Sequence, residues 1–465
     1  MKILFIGSGY VGACSAAVSA DSGHEVLVYD IDPQKIAKFN SMDKDIIEEV
    51  LYENGLGEMI IRNRERISFS HDLAEVGRFL DQTEAVFMCL PTPEKDGSGE
   101  TNLTYYLDAA RGLAALLAKR NNGSQGQYIL IINKSTVPIE TVGITKEIMQ
   151  LAGVENFGVG SNPEFLVEGK AIQGSIKPER IVVGAESSKD FAVFRDIYKR
   201  FINSPNVNYI EVNPYEAAAG KLLANFVLFN RLAVCFDVVG RACEKFENLD
   251  FEKVRSILIN DKRIGEWGFY NSLYAGGSCF IKDARSLMHQ LGGKNAGTDL
   301  IEDTLEGNKR QLENFLMRSI SEKQFDFTGK TAGLFGLAFK RNTNDVRNSA
   351  ALGATEFMLN MGAKEIRAFD PIAGPNYLNY FNEHKDADKI KLAAREEESL
   401  AGCDVILIAC DWPEFRELTP KIIENFPPGG LIMDGRRMLA HDYNELAENG
   451  YDIIAVGSPL IKRKE

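Results

Sequence analysis

The sequence predicts an α/β protein built from two Rossmann-type, doubly wound domains joined by a long central helix. Three observations carry this expectation. A short apolar run, Lys2 to Ile6, passes directly into Gly7-Ser8-Gly9-Tyr10-Val11-Gly12, the glycine pattern of a strand that turns into a nucleotide-binding helix. Apolar runs of strand length alternate with helical patterns in both halves, as a parallel sheet with crossover helices requires. Between the halves, a helical pattern begins at Asn213 and continues without a break toward Phe246. With 465 residues the chain exceeds a single core, since one domain holds about 100–200 residues. The boundaries expected are 1–205, 206–320 and 321–465.

In the first half, Val11 to Ala20 is small and apolar enough to pack a helix on a sheet, and Glu25-Val26-Leu27-Val28-Tyr29 follows as a second strand ending in Asp30. Ala85 to Leu90, Tyr128 to Ile132 and Arg180 to Gly184 read as further strands. The central helix opens with Asn213 as N-cap, Pro214 in the first helical position and Glu216 three residues past the cap. At over 30 residues it would run about 45 Å, more than one core needs. Its apolar residues suit either a plain core helix or a spine that also meets another subunit. In the last third, Lys330 to Leu337, Glu365 to Asp370, Asp404 to Ala409 and Leu431 to Asp434 read as strands of a second Rossmann-type unit without the glycine pattern.

Composition narrows the function classes. The net charge is −13, and no basic run exceeds Lys462-Arg463-Lys464, which argues against a nucleic-acid or anionic-membrane partner. No apolar stretch is expected to span a bilayer, and the first residues read as a strand. Seven cysteines, an odd number without C-x-x-C spacing, suit a reduced, cytoplasmic protein. Five scattered histidines supply no metal-ligand spacing, so no metal is expected.

Gly7, Gly9 and Gly12 suit a dinucleotide: a tight turn, close approach to pyrophosphate, and close helix–sheet packing. Asp30, 18 residues beyond Gly12, stands where a carboxylate accepts from ribose hydroxyls and repels a 2′-phosphate, which favours NAD over NADP. The alternative for Asp30 is a strand-end turn residue. Lys35 suits either the adenosine side or a solvated helix face. Lys221 and Asn225 are spaced i, i+4 on the long helix among Leu222, Leu223, Phe226 and Val227. They form either a solvated stripe or a buried pair able to stabilise an oxyanion. Glu164 and Glu168, in Asn162-Pro163-Glu164-Phe165-Leu166-Val167-Glu168-Gly169, are either catalytic carboxylates or loop charges. Cys279, in Gly276-Gly277-Ser278-Cys279-Phe280-Ile281-Lys282-Asp283, is a candidate nucleophile, with a buried thiol in a tight turn as the competing reading.

Taken in order, the glycine pattern, Lys134-Ser135-Thr136-Val137-Pro138, the Asn-Pro-Glu-Phe segment, Lys221 with Asn225, Gly276 to Asp283, Gly336 to Lys340 and Asp434-Gly435-Arg436 resemble the UDP-glucose/GDP-mannose dehydrogenase family over nearly the whole chain. The resemblance implies a two-step, four-electron oxidation of a sugar C6 hydroxymethyl to a carboxylate with two NAD, through a thiohemiacetal and a thioester on Cys279. It implies that Thr136, Lys221 and Asp283 hold a water and stabilise charge, that Lys221 and Asn225 stabilise the adduct alkoxide, and that Glu164 or Glu168 activates the hydrolytic water. Implied NAD contacts are Gly7, Gly9, Tyr10, Val11, Gly12, Asp30, Lys35, Pro91, Thr92, Ser135, Thr136, Glu168, Lys282 and Arg347.

For the nucleotide sugar the resemblance implies Glu164, Phe165, Leu166, Glu168, Lys221, Asn225, Tyr270, Asn271, Tyr274, Gly276, Phe339, Lys340 and Arg436. It adds Arg263 reaching across the boundary of a homodimer or higher homo-oligomer. Without the resemblance, Arg263, Arg347 and Arg436 read as surface charges. Ile281 stands where many members carry proline, and Phe339 to Asp345 departs from the usual proline and paired aspartates. The Arg-Ile-Gly and Gly-Gly-Ser-Cys-Phe stretches look more like members that take UDP-glucose than those that take acetamido sugars. GDP-mannose and UDP-N-acetylhexosamines are the alternative substrates, and a non-catalytic nucleotide-sugar or NAD sensor is the alternative class.

Overall fold

The structure, a computed structural model, describes residues 1–121, 127–270, 272–292 and 296–464. By contact the chain divides into two compact units, Met1–Ala224 with Arg285–Gln290, and Asn225–Ala284 with Leu291–Glu465.

The first unit carries β1 (Lys2–Ile6), β2 (Glu25–Tyr29), β3 (Ile67–Ser70), β4 (Thr83–Met88), β5 (Ile129–Asn133), β6 (Phe157–Ser161), β7 (Arg180–Gly184) and β8 (Asn208–Val212). They form one sheet in the order β3-β2-β1-β4-β5-β6-β7-β8, parallel except where β6 meets β7. Helices such as Tyr10–Asp21 make the crossovers. Ile3, Phe5, Val26, Val28 and Phe87 bury one face, and Leu4, Ile6, Leu27, Val86 and Met88 bury the other. Both faces are covered, so the central strands are continuously apolar rather than alternating. Phe5 lies opposite Phe87 in the β1–β4 register, and their rings stack at 4.6 Å.

The second unit carries β9 (Thr331–Phe335), β10 (Glu365–Phe369), β11 (Ile390–Leu392), β12 (Val405–Ile408), β13 (Leu431–Asp434) and β14 (Asp452–Ala455), all parallel, in the order β11-β10-β9-β12-β13-β14. This is the doubly wound order, with its reversal between β9 and β12. The predicted α/β class therefore holds in both units. The sequence reading delimits no strand at β3, β6, β8, β11 or β14. All but β6 are edge strands, and β8 in particular keeps its residues half-buried or exposed, so no apolar run marks it.

The central helix begins as its sequence predicts. The Glu216 N–H donates to Asn213 Oδ1 and the Asn213 N–H to Glu216 Oε2, both at 2.9 Å, a reciprocal cap. It is not uniform: α-helix over Pro214–Ala233 gives way to a π-helical stretch, Val234–Gly240, before Arg241–Lys245. By length and composition, Pro214–Lys245 could cross a membrane, with a mean hydropathy of 1.8 over its most apolar window, which corrects the expectation that no segment could. Several of its charged residues have protein partners. Lys221 pairs with Glu164, Arg231 donates to the Gly265 and Trp267 carbonyls, and Asp237 pairs with Arg241 and Arg310.

Candidate active site

The nucleotide end of the first unit is shaped by glycine at two positions. Gly7 has φ +99°, and a Cβ there would lie 2.2 Å from the Cys89 carbonyl oxygen; one at Gly12 would lie 2.0 Å from the Gly7 carbonyl. Neither position accepts a side chain. Gly9, the N-cap of helix Tyr10–Asp21, faces open space with no capping side chain, so the helix presents its first N–H groups outward. Asp30 Oδ2 accepts from the Ser8 N–H (2.8 Å) and the Ser8 hydroxyl (2.7 Å), and Lys35 Nζ lies 3.5 Å away. Burial works against ionisation of Asp30, but the Ser8 bonds, Lys35 and the Asp32 N–H hold it below the usual carboxylate range. Burial pushes the neighbouring Tyr10 phenol well up, so it stays neutral.

The ends of β4 and β5 are laced together beside this turn. The Leu90 N–H donates to Ser135 Oγ (2.7 Å), and Thr92 Oγ1 donates to the Thr136 carbonyl (2.8 Å). This leaves Pro91 exposed and Thr136 half-buried at the same sheet edge.

After β6, Asn162 organises a buried polar group that sequence reading quoted within motifs but gave no role. Lys134 Nζ donates to Asn162 Oδ1 at 2.8 Å, the Tyr198 hydroxyl donates to the same oxygen, and Asn162 Nδ2 donates to the Val182 carbonyl. The available signal was a lysine and an asparagine at the C-terminal ends of two apolar strands. Burial pushes the Lys134 ammonium down to about 8, partly offset by Cys89 and Glu164. Two residues on, Glu164 Oε1 pairs with Lys221 Nζ at 3.2 Å, both largely buried, and Glu164 Oε2 accepts from the Leu166 N–H at 2.5 Å. The buried reading of Lys221 is therefore the one the structure supports. The Phe165 ring carries Arg180 over one approach (3.9 Å) and Lys221 over another (5.2 Å). Glu168 sits half-buried in the following turn. Phe5, Phe87, Lys134, Glu164, Phe165 and Tyr198 help line a small cleft of about 80 Å³.

In the second unit, Cys279 is the first residue of helix Cys279–Gln290 rather than part of a tight turn, and its side chain is exposed. Cys14, Cys89, Cys235, Cys243, Cys403 and Cys410 are all buried, and burial pushes each thiol up, Cys89, Cys235 and Cys403 to about 12. A helix N-terminus favours a thiolate electrostatically. Of the seven thiols, Cys279 is thus the one suited to attack an incoming carbonyl.

The loop before Cys279 is braced on both sides. A Cβ at Gly276 would lie 2.3 Å from the Asn348 carbonyl oxygen; Gly277 has φ +84°, and the Phe339 ring covers it. The Gly277 N–H donates to the Arg347 carbonyl, and Asn348 Nδ2 donates to the Gly277 carbonyl, both at 3.1 Å. Asn308, which carried no sequence signal, accepts from the Ala275 N–H (2.7 Å) and donates to the Ala275 carbonyl (3.1 Å). One helical turn beyond Cys279, the buried Asp283 accepts from Asn225 Nδ2 and from Lys282 Nζ, each at 2.6 Å. Lys282 is therefore tied to Asp283.

The remaining expected ligand residues of this unit fall into two groups. Asp434 is fully buried and accepts from the N–H groups of Arg436, Met438 and Leu439 and from the Tyr443 hydroxyl, folding the turn that presents Arg436. Arg436 Nη1 donates to Ser272 Oγ at 2.6 Å, while Lys340 Nζ lies over the Phe339 ring. Arg347 is bound bidentately by Asp345. Arg263 has an 89% exposed side chain and, among the described residues, pairs with Asp261 two residues away, on a loop anchored through Arg231 and through Arg255, which donates to the Phe269 carbonyl. Tyr270, on that loop, is exposed, and Tyr274 is half-buried. Asn271 lies outside the described residues.

These features agree with known proteins along the whole chain. The sequence profile of the UDP-glucose/GDP-mannose dehydrogenase family matches as its NAD binding domain over 1–202, its central domain over 215–310 and its UDP binding domain over 333–441. The chain belongs to this family. It is 32% identical to UDP-glucose 6-dehydrogenase TuaD of Bacillus subtilis, spanning 100% of this chain and 95% of that protein. It is 30% identical to UDP-glucose 6-dehydrogenase of Pseudomonas aeruginosa, spanning 99% and 98%. Among solved structures it is similar to a UDP-glucose dehydrogenase from the hyperthermophilic archaeon Pyrobaculum islandicum, with a TM-score of 0.81, 27% identity and 94% of each chain covered. A UDP-D-ManNAc dehydrogenase from Pyrococcus horikoshii, 21% identical with a TM-score of 0.79 over 98% of this chain and 99% of that one, shares the fold.

As a member of the family, the chain is an NAD-dependent nucleotide-sugar dehydrogenase. The first unit fits NAD on its own geometry: Gly7 and Gly12 clear the turn, the uncapped helix start at Gly9 faces open space, and Asp30 is an ionised acceptor at the end of β2.

Proposed function

We propose that the protein oxidises UDP-glucose at C6 to UDP-glucuronate, with Cys279 as the covalent nucleophile. The observation that carries this reading is the exposed thiol at a helix start, behind a loop that Phe339 and Asn348 hold in place, while six other thiols are buried. A two-electron alcohol oxidation has no use for such a group; an oxidation that continues from aldehyde to acid does. Bound NAD would accept the hydride in each of the two oxidations.

For the first oxidation, Thr136, Lys221 and Asp283 hold the water that takes the C6 hydroxyl proton. Cys279 Sγ then adds to the aldehyde carbon, forming a C–S bond and an alkoxide that Lys221 and Asn225 stabilise. Oxidation of this thiohemiacetal leaves a thioester. Water, activated by Glu164 or Glu168, cleaves the C–S bond, yields the carboxylate and returns the thiol. Lys282, Arg347, Lys35 and the residues of the glycine turn serve NAD; Phe165, Leu166, Tyr270, Asn271, Tyr274, Gly276, Phe339, Lys340 and Arg436 serve the nucleotide sugar. The functional segments we assign are 1–205, 206–320 and 321–465.

The working form is a cytoplasmic homodimer or higher homo-oligomer. Leu223, Val227, Val234 and Val238 are exposed along the central helix, and the exposed Arg263 pairs with Asp261 two residues away. Seven unbridged thiols suit a reducing compartment.

A panel of UDP- and GDP-sugars assayed for NADH formation tests the reading. UDP-glucose should be preferred and should yield two NADH per sugar. One NADH per sugar, or preference for GDP-mannose or an acetamido sugar, would overturn it.

A further inference from the structure

The loop after β9 carries Arg341 directly behind Phe339 and Lys340, and the loop after β12 carries Asp411. Sheet order reverses between these two strands, so their loops leave in opposite directions and open a crevice at the carboxyl edge. In open α/β sheets that crevice is where ligands bind. Arg436, after β13, enters the same place. Arg436 Nη2 lies 3.3 Å from Asp411 Oδ1, and Arg341 Nε lies 3.8 Å from Asp411 Oδ2. The Arg341 N–H also donates to Asp411 Oδ1 at 3.4 Å.

Two guanidiniums therefore share the Asp411 carboxylate in a partly buried crevice, while Asp370, at the end of β10, is taken up by the Leu337 and Ala338 N–H groups and Trp412 Nε1. Among the described residues Arg436 Nε is buried without a hydrogen-bond partner, and Arg341 Nε faces Asp411 from beyond hydrogen-bond length while its side chain is 42% exposed. Two guanidiniums with donors to spare suit an anion with more charge and more acceptors than one carboxylate. A diphosphate has both, and planar guanidiniums match its oxygens in pairs.

We propose that Arg341 is a further substrate-binding residue: with Arg436 it forms a two-guanidinium clamp, occupied here by Asp411, that takes the diphosphate of the nucleotide sugar. The proposal rests on the reading of Arg436 as a substrate contact within the UDP-binding segment. Asp411 is then a positioning residue that draws the two arginines together and yields to the diphosphate. Although burial opposes its ionisation, Arg436 and Arg341 hold Asp411 below the usual carboxylate range, so the carboxylate is charged and competes at neutral pH.

Isothermal titration with UDP, uridine and NAD tests this on wild type, Arg341→Gln, Arg341→Lys, Arg436→Gln and Asp411→Asn. Arg341→Gln should weaken UDP about tenfold, the loss of one or two charge-assisted hydrogen bonds, and leave uridine and NAD within about twofold. Arg341→Lys should recover part of the UDP affinity. Asp411→Asn should tighten UDP by about threefold, because a competing charge is gone. If Arg341→Gln binds UDP like wild type while Arg436→Gln loses it, the clamp is refuted and the Arg436 reading stands. If both bind UDP like wild type, the Arg436 reading falls as well. Equal loss of uridine or NAD in Arg341→Gln would mark a folding effect and overturn the proposal, and weaker UDP binding in Asp411→Asn would overturn the competition.

Discussion

Adding one methyl group at Gly276 should cripple turnover while leaving Cys279 chemically reactive. A Cβ there would meet the Asn348 carbonyl oxygen at 2.3 Å and Phe339 Cβ at 3.0 Å, the first about an ångström short of ordinary contact. The obstructing atom is backbone, so no side-chain rotation relieves it. The loop is also tied by the Gly277 N–H to the Arg347 carbonyl and by Asn348 Nδ2 to the Gly277 carbonyl. Gly276→Ala must therefore push the two loops apart, at about 1–3 kcal/mol for overpacking. In a chain of this size that lowers Tm by several degrees, at roughly 2–4 °C per kcal/mol.

The displaced segment leads in three residues to the nucleophile. A shift of about 1 Å at a reacting group costs on the order of 10²-fold in rate. Steady-state NADH formation from UDP-glucose should fall by about that factor, whereas alkylation of the exposed thiol by iodoacetamide, which needs no docking geometry, should stay within about threefold. Gly277→Ala is the control: there the Phe339 ring can swing away, but φ +84° remains strained for a β-carbon, so Phe339→Leu should rescue it only in part. Wild-type turnover and Tm in Gly276→Ala would refute the argument that this bracing positions the thiol.

Cys279→Ser should lose steady-state UDP-glucuronate production yet keep a trace of single-turnover NADH, and acid formed at the wild-type rate would exclude the covalent route. Brief alkylation near pH 8 followed by peptide mass mapping should modify Cys279 alone, because burial keeps the other thiols protonated; labelling of Cys89 or Cys235 at a similar rate would contradict this. NADP should be a poor substitute for NAD, as Asp30 meets the 2′-phosphate with like charge, and Asp30→Ala should narrow the difference in kcat/KM. Lys134, facing Glu164, Lys221 and Cys89, loses its proton near 8 when folded but near 10.5 when unfolded. Between those values the unfolded chain binds more protons, so stability should rise with pH, and urea titrations of Lys134→Met should lack that rise.

Local signals were legible where a residue's role is set by its neighbours in sequence. The glycine turn after β1, the carboxylate ending β2 and the Asn213–Glu216 cap each depend on a few consecutive residues, and the apolar central strands announce a sheet covered on both faces. Edge strands such as β8 carried no such signal, because a strand paired on one side needs no continuous apolar run. The sequence by itself also determined the family, since ordered motifs are a property of the chain. Only the tertiary structure decided which of seven thiols meets solvent and that Lys221 is buried against Glu164. It alone showed that Asn162 gathers Lys134 and Tyr198, and that Asp411 draws Arg341 and Arg436 together. Burial and charge pairing are sums over residues far apart along the chain, and only folding brings their terms together.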